Sequence, residues 1–241
     1  MSKIKSSFKW SFIIQASFQI IGFLVSIILA RMLSPSDFGI IGILTIFINL
    51  SKNITDGGLA SSLIRTKDPS EVDFSTVFYF NLVCSVFMYA ILFITAPFVA
   101  VFFKLPLIEN LLRVFGVTII LSAFTITQSV KLNKELNFKT QFKILLPSLL
   151  ISAIAGISSA YYGMGVWSLV IKEVVFSLLA SMQLWFYSRW KPLRVFNRNS
   201  FKNHFYYGYK LVITDLISQF FLFFYKALRG NIFSPRQFGF F

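Results

Sequence analysis

Charge is scarce in this sequence. Of its 241 residues, 13% are charged and 56% are hydrophobic, whereas soluble domains carry about 25% charged residues. A soluble domain of this size could not bury so much apolar surface, and the mean hydropathy of +0.73 agrees. The composition therefore excludes an ordinary soluble protein and indicates that lipid is the solvent for much of the chain.

Cysteine and histidine are nearly absent, because Cys84 and His204 are the only residues of their types. One cysteine cannot form an intramolecular disulfide or a zinc-binding spacing. One histidine leaves little for metal binding or Ser-His catalysis, and no paired carboxylates or phosphate-binding glycine loop are present. We interpret His204 as an interfacial side chain at a helix entrance, and we expect no catalytic residue, metal or cofactor and no enzyme activity.

Acidic residues number only 9 against 23 lysines and arginines, for a net charge of +14. In a soluble protein this balance would suggest nucleic acid. Here the basic residues fall between apolar blocks, and no basic face with interleaved aromatics lies outside those blocks. The pattern excludes nucleic acid and predicts the lipid bilayer as a partner.

Seven apolar segments reach the roughly 20 residues that a membrane-spanning helix needs. The first is too long for the apolar core of a signal peptide, and no cleavage site follows it, so we predict a retained helix. The predicted spans are 10–33, 38–64, 74–103, 107–130, 142–162, 166–190 and 205–229.

Basic residues are distributed unequally between the two sides of these segments. With the N-terminus in the cytoplasm, the inside connections carry 14 lysines and arginines and the outside connections carry 4. This alternation holds at every connection, as the positive-inside rule requires. We therefore predict a multi-pass membrane protein with a cytoplasmic N-terminus.

Two connections carry helix-start signals. Ser34 and Ser70 are each followed three residues later by an aspartate, and Pro35 stands at the first helical position. This spacing is typical of a capping box. Gly163 and Gly165 predict the break between the fifth and sixth spans.

The motif Ser-Pro-x-x-Phe-Gly occurs at 34–39 and again at 234–239, an offset of 200 residues. Six spans separate the copies, and an even number keeps both on one membrane face. This predicts a parallel repeat of six helices. We expect residues 1–203 to form an N-terminal six-helix lobe and residues 204–241 to supply the first helix and following loop of a second, truncated lobe.

Several stretches resemble one known family. The run from Leu29 to Gly39 looks like the signature loop of bacterial polysaccharide-biosynthesis flippases, the Wzx-type O-antigen and exopolysaccharide exporters of the multidrug/oligosaccharidyl-lipid/polysaccharide exporter superfamily. Further similar stretches follow in order along the chain at 55–64, 74–81, 163–170 and 188–192.

The resemblance implies a fold and a function. The fold is all-α and integral to the membrane, with a six-helix transporter lobe plus the first helix of a parallel-repeat second lobe. The function is translocation of an undecaprenyl-diphosphate-linked oligosaccharide, such as an O-antigen, capsule or exopolysaccharide repeat unit, by alternating access. The implied partners are this lipid-linked glycan, the missing C-terminal lobe and the polysaccharide polymerase machinery.

Polar side chains within spans mark candidate positions for substrate binding. On the first helix, Ser11, Gln15, Gln19, Gly22 and Ser26 recur every three or four residues and share one face. This stripe predicts either a polar path for substrate or helix–helix packing. The two glutamines are bulkier than packing requires.

Charged residues extend the candidate set. Lys52, Asn53 and Asp56 lie deep in the second predicted span. Lys52 is a candidate for the substrate diphosphate, and the alternative is a structural pair with Asp56. Arg113 and Lys172 are further candidates, with local pairing to Glu109 and Glu173 as the alternative.

Three other functions remain open. A membrane enzyme such as an O-antigen polymerase or ligase would need large outside loops, and the outside loops here are tiny. A drug or cation antiporter of the same fold would carry acidic residues deep in the first helix, which has none. A non-functional truncated fragment is the third alternative.

Overall fold

A computed structural model describes the backbone of residues 2–188 and 190–232, with side chains within 9–188, 190–214 and 217–218. The described residues form helices and connections, with no strand among them. The helices are α1 (Ser2–Met32), α2 (Pro35–Asp56), α3 (Leu59–Arg65), α4 (Glu71–Phe102), α5 (Leu107–Lys134), α6 (Phe138–Tyr161), α7 (Trp167–Ser188) and α8 (Arg198–Ile232).

Six helices in the described part of the chain, namely α1, α2 and α4 to α7, are long and apolar enough to cross a membrane. The prediction of an all-α integral membrane protein is confirmed. The seventh predicted span, 205–229, lies within α8, and its crossing of the membrane stays a prediction. The second motif copy, 234–239, lies outside the described residues, and the six-helix repeat and its domain boundary at 203/204 also stay predictions.

The second predicted span, 38–64, is wrong in its last part. Gly57 and Gly58 both have positive φ, at 57° and 69°. Two successive left-handed residues cannot continue a right-handed helix. The chain therefore ends α2 at Asp56 and begins the separate short helix α3, although both pieces are apolar.

Both predicted capping boxes are present. The Asp37 backbone N–H donates to Ser34 Oγ over 3.3 Å, and the Ser34 N–H donates to Asp37 Oδ2 over 2.9 Å. Ser70 and Asp73 make the same reciprocal pair at the start of α4. These bonds satisfy backbone N–H groups that a helix N-terminus otherwise leaves open.

The spanning helices pack in an order that differs from their order in the chain. α6 lies between α1 and α7, α7 packs on α5, and α5 packs on both α4 and α2. The main core joins α2, α4, α5 and α7 through Leu44, Ala96, Leu111 and Val170. A Cβ on Gly156 of α6 would lie 2.9 Å from Lys172 Cβ, so this glycine permits the close approach of α6 to α7.

Contacts between the connections show that they lie at two opposite faces of the helix bundle. The connections 57–70, 135–137 and 190–197 share what we name the basic face, where Trp190 Nε1 donates to Glu71 Oε2 over 2.6 Å. The connections 33–34, 103–106 and 162–166 lie at the opposite face, where the Cβ position of Gly165 is 3.5 Å from Asp37 Oδ1. The structure thus groups the connections as the alternation of basic residues predicted. Which face is cytoplasmic stays a prediction.

Candidate functional site

The polar stripe of α1 lies open. Gln15, Gln19, Gly22 and Ser26 are exposed, and a Cβ on Gly22 would meet no atom within 4 Å. A different side of α1 is buried against α6, through Val25 and Leu29. Packing within the described lobe therefore does not explain the stripe.

Lys52 lies one turn before the end of α2, not deep in a longer span, because α2 ends at Asp56. Lys52 and Asn53 are half-buried. Among the described residues, no carboxylate lies within ion-pair distance of the Lys52 ammonium, and Glu173 of α7 acts on it only from farther away. Asp56 Oδ1 instead accepts the Ala60 N–H over 3.1 Å, so this carboxylate fastens the start of α3.

Lys172 and Glu173 form an ion pair, with Nζ and Oε1 3.1 Å apart. Glu173 therefore acts on two lysines, Lys172 beside it on α7 and Lys52 on α2. Sequence reasoning considered Glu173 only as a local partner of Lys172, and no spacing along the chain indicated its relation to Lys52.

Arg113 lies in the second turn of α5 near the opposite face, and Lys172 lies in the second turn of α7 near the same face. The Arg113 guanidinium pairs with Glu109 over 2.8 Å and lies 4.4 Å from the centroid of the Phe93 ring. The structure therefore places Lys52, Asn53 and Asp56 on one turn of α2 near the basic face. It places Lys172 and Arg113 near the opposite face, each with a local carboxylate partner.

A network on the basic face was not predicted. Glu71 receives the indole N–H of Trp190 and pairs with Lys131. The N–H of Leu193 donates to Ser75 Oγ over 2.9 Å. These bonds connect the start of α4 to the end of α5 and to the segment before α8. Nothing in the local sequence marks such partners, since they are about 60 and 119 residues apart.

Lys134 stabilises the C-terminal end of α3. Its ammonium donates to the carbonyl oxygens of Leu63 and Ile64 over 3.2 and 3.3 Å and also to that of Thr66. These carbonyls belong to the C-terminal end of α3, where a helix leaves acceptors unsatisfied. A seven-residue helix has few bonds of its own, so Lys134 fixes it to the end of α5.

His204 is buried, at 5% exposure, and joins α8 to two other helices. Its Nδ1 shares a hydrogen bond of 2.8 Å with Ser62 Oγ of α3, and its Nε2 lies 3.6 Å from Asp73 Oδ1 of α4. A serine, a histidine and an aspartate also form hydrolase triads. Here the carboxylate is beyond hydrogen-bond distance of the ring and Ser62 is itself buried, so the arrangement fastens α8.

Close backbone contact also joins α8 to the break between α2 and α3. A Cβ on Gly58 would lie 2.8 Å from Gly208 Cα, and a Cβ on Gly208 would lie 3.0 Å from the Gly58 carbonyl carbon. Only glycine fits on either side of this crossing. No group of three or more metal-binding side chains occurs in the part of the chain that the structure describes.

Comparison with known proteins identifies the family of this chain. The family described as "Polysaccharide biosynthesis protein" matches residues 28–241. The succinoglycan biosynthesis transport protein ExoT of Rhizobium meliloti is 28% identical over 70% of this chain and 34% of its own length. The teichuronic acid biosynthesis protein TuaB of Bacillus subtilis is 23% identical over 86% of this chain and 43% of its own length.

A third relative is the lipopolysaccharide biosynthesis protein WzxC of Escherichia coli, 21% identical over 74% of this chain and 36% of its own length. The chain thus spans less than half the length of these relatives. No solved structure matches it. The resemblance to Wzx-type flippases is confirmed at the level of the family, and this chain belongs to the polysaccharide biosynthesis protein family.

Proposed function

We propose that this chain forms one lobe of a transporter that moves a lipid-linked oligosaccharide across the bacterial plasma membrane by alternating access. The protein acts without catalytic chemistry: the substrate crosses the membrane unchanged. A second lobe faces the open side of α1 and completes the path. The N-terminus lies in the cytoplasm, and the polysaccharide polymerase machinery receives the product.

The observation that carries this proposal is the open polar stripe of α1. Polar groups that face hydrocarbon without partners are costly. Gln15 and Gln19 are exposed within the mostly apolar span of α1, and the other described helices leave that face uncovered. A hydrated path between two lobes would give both amides partners, in water or in the hydroxyl groups of a sugar.

The charges suit an anionic lipid-linked substrate. Lys52 has no carboxylate within ion-pair distance among the described residues, and Lys172 pairs with Glu173. Lys52, one turn from the end of α2 at the basic face, attracts a diphosphate that enters from that side. Asn53 lies beside Lys52 and offers an amide to the same ligand, while Asp56 holds α3 in place. Arg113 and Lys172, near the opposite face, meet the substrate after the switch.

Export in cells tests the role of Lys52. In a strain that depends on the complete transporter, Lys52→Ala should abolish surface polysaccharide while the amount of protein in the membrane stays near that of the wild type. Lys139→Ala is the matched control, because Lys139 is an exposed lysine at the basic end of α6, and it should leave export unchanged.

The double substitution Lys52→Ala/Glu173→Ala separates substrate binding from structural pairing. If Lys52 only neutralises Glu173, removing both charges restores export, and the substrate role of Lys52 fails. If Lys52 binds the diphosphate, the double variant stays inactive.

A further inference from the structure

A cavity of about 360 Å³ opens on the basic face between α3, the start of α4 and the start of α8. It is separate from the proposed transport path along α1 and α2. Seven side chains line it: Ser62, Arg65, Thr66, Asp73, Asn203, His204 and Tyr207. A space of this volume suits a small polar ligand.

Most of the polar groups in its wall are already engaged. Asp73 Oδ2 accepts the Ser70 N–H over 2.8 Å, and Asp73 Oδ1 accepts the hydroxyl of Ser200. His204 and Ser62 bond each other, and Thr66 Oγ1 donates to the Ser62 carbonyl over 3.0 Å. The carboxylate of Asp73 is therefore committed to the protein and does not define a cation site.

Arg65 is the group in this wall that is positioned for a ligand. Its guanidinium lies 4.4 Å from the centroid of the Tyr207 ring, a cation–π contact that fixes the plane of the guanidinium. Among the described residues, no carboxylate lies within ion-pair distance of Arg65. A planar guanidinium can donate two parallel hydrogen bonds to an oxyanion.

The surroundings indicate which oxyanion fits. Phe205 and Tyr206 next to the cavity are exposed, and tyrosines are typical of the headgroup level of a membrane. Lipid phosphates lie at that level. Asn203, exposed on the first turns of α8, adds a neutral amide donor to the arginine.

We propose that the cavity between α3, α4 and α8 binds the phosphate group of an anionic ligand, either a lipid headgroup or a soluble phosphate ester. Arg65 supplies the charge and Asn203 a neutral donor. Because one wall belongs to α3 and another to α8, bound phosphate bridges these two helices and strengthens their contact. The site does not depend on the proposed transport function.

Thermal unfolding of the purified chain in phosphatidylcholine nanodiscs, followed by tryptophan fluorescence, tests the site with inorganic phosphate as the probe. Phosphate should raise the midpoint of the wild type more than chloride at equal ionic strength does. Arg65→Gln should require roughly 10-fold more phosphate for the half-maximal shift, since it loses charge-assisted hydrogen bonds. Arg65→Lys keeps the charge but lacks the planar guanidinium. Its half-maximal phosphate concentration should lie between those of the wild type and Arg65→Gln.

Lys67→Gln is the matched control. Lys67 is two residues from Arg65 in the chain, carries the same charge, is exposed and does not line the cavity. Lys67→Gln should respond to phosphate as the wild type does. If Lys67→Gln and Arg65→Gln weaken the response to phosphate equally, the effect is general electrostatic attraction, and the proposed site is wrong. No phosphate-specific shift in the wild type would also overturn it.

Nanodiscs that contain phosphatidylglycerol distinguish the two sources of phosphate. If the lipid headgroup is the ligand, these nanodiscs stabilise the wild type but not Arg65→Gln, and added phosphate has no further effect. If a soluble phosphate ester is the ligand, the response to phosphate is the same in both kinds of nanodisc. Both results support a phosphate site.

Discussion

Gly58 and Gly208 meet backbone to backbone, so that a Cβ on Gly58 would lie 2.8 Å from Gly208 Cα. The contact lies where the α2–α3 break crosses α8, and it brings residues 150 positions apart into direct contact. A side chain on either residue must push the two backbones apart.

We predict that Gly208→Ala destabilises the chain by about 1–3 kcal/mol, the usual cost of overpacking. Gly58→Ala should cost about 1–2 kcal/mol more, because Gly58 also has positive φ. The thermal midpoint in detergent measures both. Gly22→Ala is the control: its Cβ meets open space, and its midpoint should not fall. A Gly208→Ala variant as stable as Gly22→Ala would contradict the crossing.

Cysteine labelling tests whether the stripe of α1 meets water. In a complete transporter whose Cys84 is replaced by alanine, Gln15→Cys and Gln19→Cys should react with a charged, membrane-impermeant maleimide. Ile20 and Phe23 are also exposed, but they lie off the stripe, and we expect Ile20→Cys and Phe23→Cys to react slowly because they face lipid. Equal rates at all four positions would refute a hydrated path along α1.

Reporter fusions test the orientation. Fusions after residues 68, 135 and 196 should report the cytoplasm, and fusions after residues 35, 105 and 164 should report the periplasm, because the basic face carries most of the lysines and arginines. A reversed pattern at any two sites would contradict the predicted orientation.

Lys134→Met should loosen α3, since three carbonyl oxygens at its end would lose their donor. We expect faster proteolysis in the segment 59–68 and a lower thermal midpoint. Lys139→Met is the control, because it removes a charge at an exposed residue at the start of α6. It should change neither the rate of proteolysis nor the thermal midpoint. Identical cleavage in the two variants would show that α3 is stable without Lys134.

The sequence predicts the elements that depend on local chemistry. Six spans follow from apolar length, and the starts of α2 and α4 follow from Ser34 and Ser70, because a capping box is complete within four residues. The grouping of connections on two faces follows from charge. The break at Gly57 and Gly58 does not follow from apolar length, although two successive glycines favour the end of a helix.

Partners distant in the chain could not be predicted. Glu71 bonds Lys131 and Trp190, and Glu173 attracts Lys52, with no periodicity that links them. Asp56 is four residues from Lys52, and the helical spacing favoured that pair. The end of α2 at Asp56 changes the geometry, since its carboxylate reaches the Ala60 N–H of the next helix.

The attachment of His204 sets an order of assembly during synthesis. Ser62 and Asp73 are translated long before the residues that bond them, Ser200 and His204. A nascent chain that ends before residue 200 therefore carries a hydroxyl and a carboxylate that still depend on water or on lipid headgroups. The first six spanning helices can enter the membrane as they emerge, but their basic face reaches its final form only when the start of α8 has left the ribosome.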